Sequence, residues 1–228
     1  MTNEVEQLIR LFESHRNEEQ AGPMSAYMKH HFPFLGIKSP LRKELTRTFL
    51  NETLLHKESE LPISALIDMW GLPEREYHYT VIEIVARMKT RYKEEDLAFF
   101  EMLITTQSWW DSVDGIAPNV IGHYFDRFPH EREVADRWAV HENMWLRRTA
   151  ILHQLKKKKD TDEDRLFHYC RINREDNEFF IRKAIGWALR EYSKTAPEAV
   201  EHFIEKESLS PLSKREGRKH LDRVKKGV

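Results

Sequence analysis

The chain has 228 residues, with 37 Lys plus Arg against 38 Asp plus Glu and a formal net charge of −1. Hydrophobic residues make up 40% and charged residues 33%, the balance of a globular chain with a heavily charged surface and enough length for a substantial core. No apolar run approaches the ~20 residues of a membrane span, the start MTNEVEQLIRLFESHR lacks secretory-signal features, and the single cysteine, Cys170, excludes an internal disulfide and a Cys-based zinc site.

In chain order, apolar residues recur at helical spacing. Leu8, Ile9, Leu11 and Phe12 form a first stripe, and Ile63, Leu66, Ile67 and Trp70 a second. Val81, Ile82, Ile84, Val85 and Met88 follow a start at Pro73-Glu74. Leu146, Ala150, Ile151, Leu152 and Leu155 form the next stripe, and the segment Glu178–Ser193 carries Phe179, Phe180, Ile181, Ala184, Ile185, Ala188 and Leu189. Pro40, Pro73, Pro197 and Pro211 fall where helices should begin, and Ser213 is a candidate cap for a basic C-terminal helix. Strand patterns are absent, so the expected fold is all-α, with about a dozen helices.

Trp145-Leu146-Arg147-Arg148-Thr149-Ala150 aligns with Phe180-Ile181-Arg182-Lys183-Ala184-Ile185 at an offset of 35 residues, and weaker echoes begin near Arg75 and Ser112. A period in the thirties with two helices per unit suits stacked HEAT-like repeats, a superhelical solenoid with a concave groove, although an irregular bundle fits the same pattern. No linker or low-complexity segment interrupts residues 1–228, so a single domain is expected.

The near-zero net charge argues at first against a nucleic-acid partner. It is an average of unlike parts: residues 1–140 carry 16 basic and 23 acidic residues, a net of −7, and residues 141–228 carry 21 and 15, a net of +6. That polarity suits a polyanion-facing surface in the C-terminal part, or uneven scatter over a solvated helical surface.

Chemistry concentrates at Ser108-Trp109-Trp110-Asp111-Ser112-Val113-Asp114. Trp110 and Asp114 are four apart, so a helix sets an indole beside a carboxylate on one face, with Trp109 and Asp111 pointing elsewhere. The same spacing fits a core Trp pair with Asp111 or Ser108 as an N-cap. Trp187 shares its helix with Arg182, Lys183 and Arg190, and Trp145 with Arg147 and Arg148 sits one repeat earlier. Lys214 and Arg215 add basic positions near the C-terminus. Aromatics interleaved with cations are either ordinary amphipathic faces or a groove that holds phosphates and sugars. No phosphate loop, dinucleotide fingerprint or HExxH occurs, the 12 His are scattered, and Cys170 reads as a buried thiol.

The segments SAYMKHHFPFLGI (25–37), LPEREY (72–77), SWWDSVD (108–114), NMWLRRTAI (143–151), KAIGWALREY (183–192) and LSKRE (212–216) resemble the AlkD-type bacterial DNA alkylation-repair glycosylases, with matches spread over nearly the whole chain. The resemblance implies a superhelix of HEAT-like repeats with a concave basic groove. It implies excision of cationic alkylated purines, such as 3-methyladenine and 7-methylguanine, from double-stranded DNA by hydrolysis of the N-glycosidic bond. Carried over position by position, it makes Asp114 the catalytic carboxylate, Trp110 and Trp187 the sugar-facing indoles, Arg148 a backbone-binding arginine and Tyr27 a groove-lining tyrosine. Arg147, Arg182, Lys183, Arg190, Lys214 and Arg215 become candidate DNA contacts. Gly115 departs from the larger residue expected after the carboxylate and loosens the helix there. The resemblance further implies no metal or organic cofactor, a cytoplasmic location, and no membrane or obligate protein partner. A DNA-structure-binding relative without glycosylase activity and a protein-interaction scaffold are the alternative readings.

Overall fold

The computed structural model describes residues 2–227, and among these the regular structure is entirely helical. The α-helices are α1 (Asn3–Glu13), α2 (Glu18–Tyr27), α3 (Ser39–Thr53), α4 (Ile63–Trp70), α5 (Arg75–Arg87), α6 (Leu97–Thr105), α7 (Trp110–Ile116), α8 (Gly122–Arg127), α9 (Glu133–Trp138), α10 (Met144–Leu152), α11 (Glu163–Ile172), α12 (Phe179–Tyr192), α13 (Pro197–Lys206) and α14 (Pro211–Lys225). Helices α3, α5, α7, α10, α12 and α14 begin at residues 39, 75, 110, 144, 179 and 211, a period in the low to middle thirties that extends the two-repeat alignment along the chain. Among the described residues no helix is long and apolar enough to cross a membrane.

Local chemistry explains many of the helix starts. Asn17, Asn143 and Asp162 each accept a backbone N–H of the first turn of α2, α10 and α11. Pro40, Pro197 and Pro211 stand in the first turns of α3, α13 and α14, where a missing N–H costs nothing. The cap of α14 is Ser210, whose Oγ accepts from the Ser213 N–H. Ser213, the expected cap, instead donates its hydroxyl to the Arg182 carbonyl and ties α14 to α12.

Contacts group the chain into two compact units, Met1–Phe99 and Phe100–Val228. In the first, α1 packs on α3 and α4, and α5 packs on both α3 and α4. The core holds Leu8, Phe12, Phe49, Leu66, Val81 and Ile84, each almost fully removed from water, worth about 1.5–3 kcal/mol per side chain. The segments LPEREY and HHFPFLGI meet here. Glu76 is fully buried on α5, and its carboxylate accepts the backbone N–H groups of Leu35, Gly36 and Ile37 at 3.0, 2.9 and 3.0 Å. Burial pushes the Glu76 carboxyl above its ordinary range, against the three amides that favour its charge. The bend needs Gly36, which has φ +84 and whose absent Cβ would fall 2.0 Å from the Asn17 carbonyl oxygen. Arg75, also fully buried, lies 3.8 Å over the Phe32 ring.

In the second unit α7, α10, α12 and α14 pack side by side in chain order, while α9, α11 and α13 lie against them. Helix α7 runs into a π turn at Ala117–Ile121 before continuing as α8. Pro118, which has no N–H to give to a carbonyl four residues back, lies within that turn.

Candidate active site

The adjacent tryptophans part company. Trp109 ends the extended segment before α7 and packs 5.9 Å from the Trp145 ring and 5.0 Å edge-on to Phe180, with Trp145 and Phe180 themselves 5.3 Å apart. It thus joins the starts of α7, α10 and α12. Trp110 opens α7, and one turn later Asp114 shares its face. One ring packs between helices and the other faces a cavity. Neither Ser108 nor Asp111 caps the helix; the cap position is Trp109 and makes no side-chain capping bond.

Trp110 and Asp114 line a cavity of about 360 Å³ together with Arg148 of α10, Phe179, Phe180, Lys183, Trp187 and Arg190 of α12, and Glu216 of α14. Every wall is therefore a helix of the stacked series. On α12, Lys183, Trp187 and Arg190 follow the spacing that keeps side chains on one face of a helix. Asp114 is largely buried, with 15% of its side chain exposed. The Arg148 guanidinium donates to it in a fork, Nε to Oδ1 at 2.8 Å and Nη2 to Oδ2 at 2.9 Å, and donates Nη1 to the Phe180 carbonyl. Burial pushes the Asp114 carboxyl above the ordinary carboxylate range; the Arg148 hydrogen bonds and charge pull the other way. The fork uses one lone-pair direction on each carboxylate oxygen and leaves the others for a reacting group in the cavity.

Arg148 stands against the candidate carboxylate. A contact with the DNA backbone was expected of it; its side chain is 5% exposed, and one N–H on each of its three nitrogens is given to Asp114 or the Phe180 carbonyl. Arg147 and Arg182, also expected to contact DNA, hold the turn before α12. Arg147 donates to Asp176 and to the carbonyls of His141 and Glu142, and Arg182 donates to the Asp176 carbonyl and the Asn177 side chain. Both fasten the turn before α12, because planar guanidinium forks satisfy carbonyls that the loop cannot pair itself. Lys183 and Arg190 do reach the cavity. On α14, Lys214 is half-buried and Arg215 exposed.

Tyr27 stands in the first unit at the end of α2, 72% exposed. It lines a largely apolar cavity of about 440 Å³ with Met24, Met28, Phe34, Tyr79 and Arg42. Gly115 sits two residues before the π segment, and its carbonyl accepts from the Asn119 side chain at 2.7 Å, consistent with a locally loosened helix. Cys170 is fully buried and burial pushes its thiol up, away from the reactive thiolate range.

Phe179, Phe180 and Glu216 line the cavity, although the sequence reading gave them no site role. The doubled aromatic at the start of α12, at the same repeat position as Trp145, was the available signal for the first two. Glu216 lay inside the segment LSKRE without a distinguishing pattern.

The sequence pattern of the family described as DNA alkylation repair enzyme matches residues 8–221. A solved structure described as a predicted DNA alkylation repair enzyme from Enterococcus faecalis is 37% identical, covers 90% of this chain and 96% of its own, and superposes with a TM-score of 0.83. A second, smu.31 from Streptococcus mutans UA159, shares 14% identity over 95% of this chain and 98% of its own with a TM-score of 0.59, a likeness of fold. No curated protein matches the chain.

Proposed function

Since the chain belongs to the DNA alkylation repair enzyme family, whose substrate is DNA, we propose that it is a glycosylase that releases cationic alkylated purines, such as 3-methyladenine and 7-methylguanine, from double-stranded DNA. The observation that carries this reading is the Asp114 carboxylate, held in a bidentate fork by Arg148 in a cavity that also presents the Trp110 and Trp187 indoles.

A purine alkylated at N3 or N7 carries a positive charge, so its bond to the sugar is weak without protonation by a general acid. In the proposed reaction the C1′–N9 bond breaks and its electron pair passes to the base, which leaves neutral. Positive charge moves onto the deoxyribose as it does so. Asp114 lies ready to oppose that charge, and its cost of orientation is met beforehand by Arg148. Water then forms the new bond to C1′ and loses a proton, with the second face of the carboxylate able to orient it. The indoles add their negative π faces, which favour a cationic base and a cationic sugar. Arg148 is in this scheme a positioning residue for Asp114. Phosphate contacts fall to Lys183 and Arg190 at the cavity and to Lys214 and Arg215 beyond it, consistent with the basic excess after residue 141.

A DNA-binding relative without catalysis would have no need of a buried, oriented carboxylate in a cavity that two indoles also line. The test is incubation of the protein with methylated duplex DNA, followed by chromatographic identification of free bases. The reading predicts release of 7-methylguanine and 3-methyladenine, and DNA binding without any base release would overturn it.

A further inference from the structure

Gly186 and Glu216 lie in the segments KAIGWALREY and LSKRE, and the reaction just described leaves both unused. They meet where α12 and α14 pack: a Cβ on Gly186 would fall 2.4 Å from the Glu216 Cβ and 3.0 Å from the Ser213 carbonyl oxygen. Glycine at 186 is what lets α14 come this close. The approach seats Glu216 at the cavity, 5% exposed.

Three cations meet this carboxylate. Lys219 donates to both oxygens at 2.9 and 2.8 Å. Lys183 lies 3.3 Å from Oε1 and Arg190 3.3 Å from Oε2. Burial by itself would raise the Glu216 carboxyl, but the bonds from Lys219 and Lys183 outweigh it and hold the group below its ordinary range, so it stays anionic. The short contacts belong to Lys219. The two cations from α12 stand off at a distance longer than a full charge-assisted bond, and 36% of the Lys183 and 31% of the Arg190 side chain remain exposed. One negative charge thus fixes two cavity-facing cations by one long contact each, which leaves further N–H groups on both, and the cluster keeps a positive excess.

We propose that Glu216 is a positioning residue for backbone recognition: seated on Gly186, it holds the Lys183 ammonium and the Arg190 guanidinium on either side of Trp187, where together they take a phosphate of the strand that carries the target nucleotide. This rests on the glycosylase reading for which strand is bound, but the phosphate contact itself is measurable on undamaged DNA. Lys and Arg side chains lose much rotamer freedom when ordered, and a carboxylate that orders them beforehand removes that loss from the binding step.

The experiment measures binding of undamaged and methylated duplex oligonucleotides over a range of salt by the native protein, Glu216→Gln, Lys183→Ala/Arg190→Ala, and the combined triple variant. Base release from the saturated complex is read alongside. Glu216→Gln removes a negative charge, so a purely electrostatic role would tighten binding and steepen the salt dependence. The proposal predicts the opposite: binding weakened roughly tenfold on undamaged and methylated duplex alike, the worth of one charge-assisted contact. It further predicts that Glu216→Gln has no added effect once Lys183 and Arg190 are alanine. Tighter binding by Glu216→Gln, or an equal loss in the double-alanine background, overturns it. Because undamaged DNA reports the contact without catalysis, a protein that releases no base would sink the glycosylase reading and still leave this result readable.

Discussion

Replacing Arg148 by Met removes the fork on Asp114 while keeping an apolar stem among the residues that now bury the guanidinium. The two bonds at 2.8 and 2.9 Å are the only side-chain hydrogen bonds found for the Asp114 carboxylate among the described residues. Burial already pushes this carboxyl up, and the Arg148 contact is the main force opposing it. An arginine at this distance commonly lowers an aspartate by about one to three pH units, a differential of about 1.4–4 kcal/mol. Without it, the Asp114 carboxyl rises further. In the proposed reaction the ionised form works, so activity is present above the carboxyl's pKa and is lost as pH falls through it. The acid limb of the profile therefore moves to higher pH. The assay is single-turnover release of 7-methylguanine between pH 4 and 9 at a temperature where circular dichroism shows the variant folded. A variant whose acid limb coincides with that of the native protein, but whose DNA affinity falls and whose salt dependence flattens, would refute the reasoning and return Arg148 to the phosphate.

His153 is fully enclosed beside Phe125, with its Nδ1 2.8 Å from the Ala150 carbonyl, and burial lowers its pKa to about 4. The unfolded chain takes up this proton near the ordinary 6.5, so stability from the neutral ring is fully present above that value. It is lost as pH falls toward 4, by about 3 kcal/mol; urea unfolding of the native protein and His153→Gln should show a slope that the variant flattens, and parallel slopes would count against it. Glu76→Gln removes the charge that three backbone amides share, at a cost of at least about 1.5–3 kcal/mol. Faster amide exchange at Leu35, Gly36 and Ile37 is expected, and unchanged protection there would show that the loop is held by something else.

The helices were legible in the sequence because amphipathic stripes and prolines in first turns are local signals, and α12 falls within one residue of the segment read from its apolar pattern. The thirty-five-residue offset was legible for the same reason: Trp145 and Phe180 occupy equal places on successive helices and touch. Trp110 and Asp114 were readable as one face from their spacing alone. Guanidinium partners were not. Arg147 and Arg148 look alike as exposed cations on a helix, but their fate depends on which acceptors fold within reach, and the side-chain and carbonyl acceptors at Asp114, Asp176 and Phe180 lie about thirty residues away. Glu216 was hidden by the same kind of distance, since its importance comes from a glycine on another helix. The near-zero net charge also proved a poor guide, because a site needs only a local excess of cations.

The central claim is that Asp114 opposes charge developing on the sugar, and Asp114→Asn tests it most directly. The asparagine keeps the size and can still accept from Arg148, but it carries no charge. Measured as single-turnover release of 7-methylguanine from methylated duplex at neutral pH, the variant should bind the DNA about as well as the native protein and release base at least about a hundredfold more slowly, the scale of one well-placed electrostatic group. Equal rates for the two proteins would contradict the account.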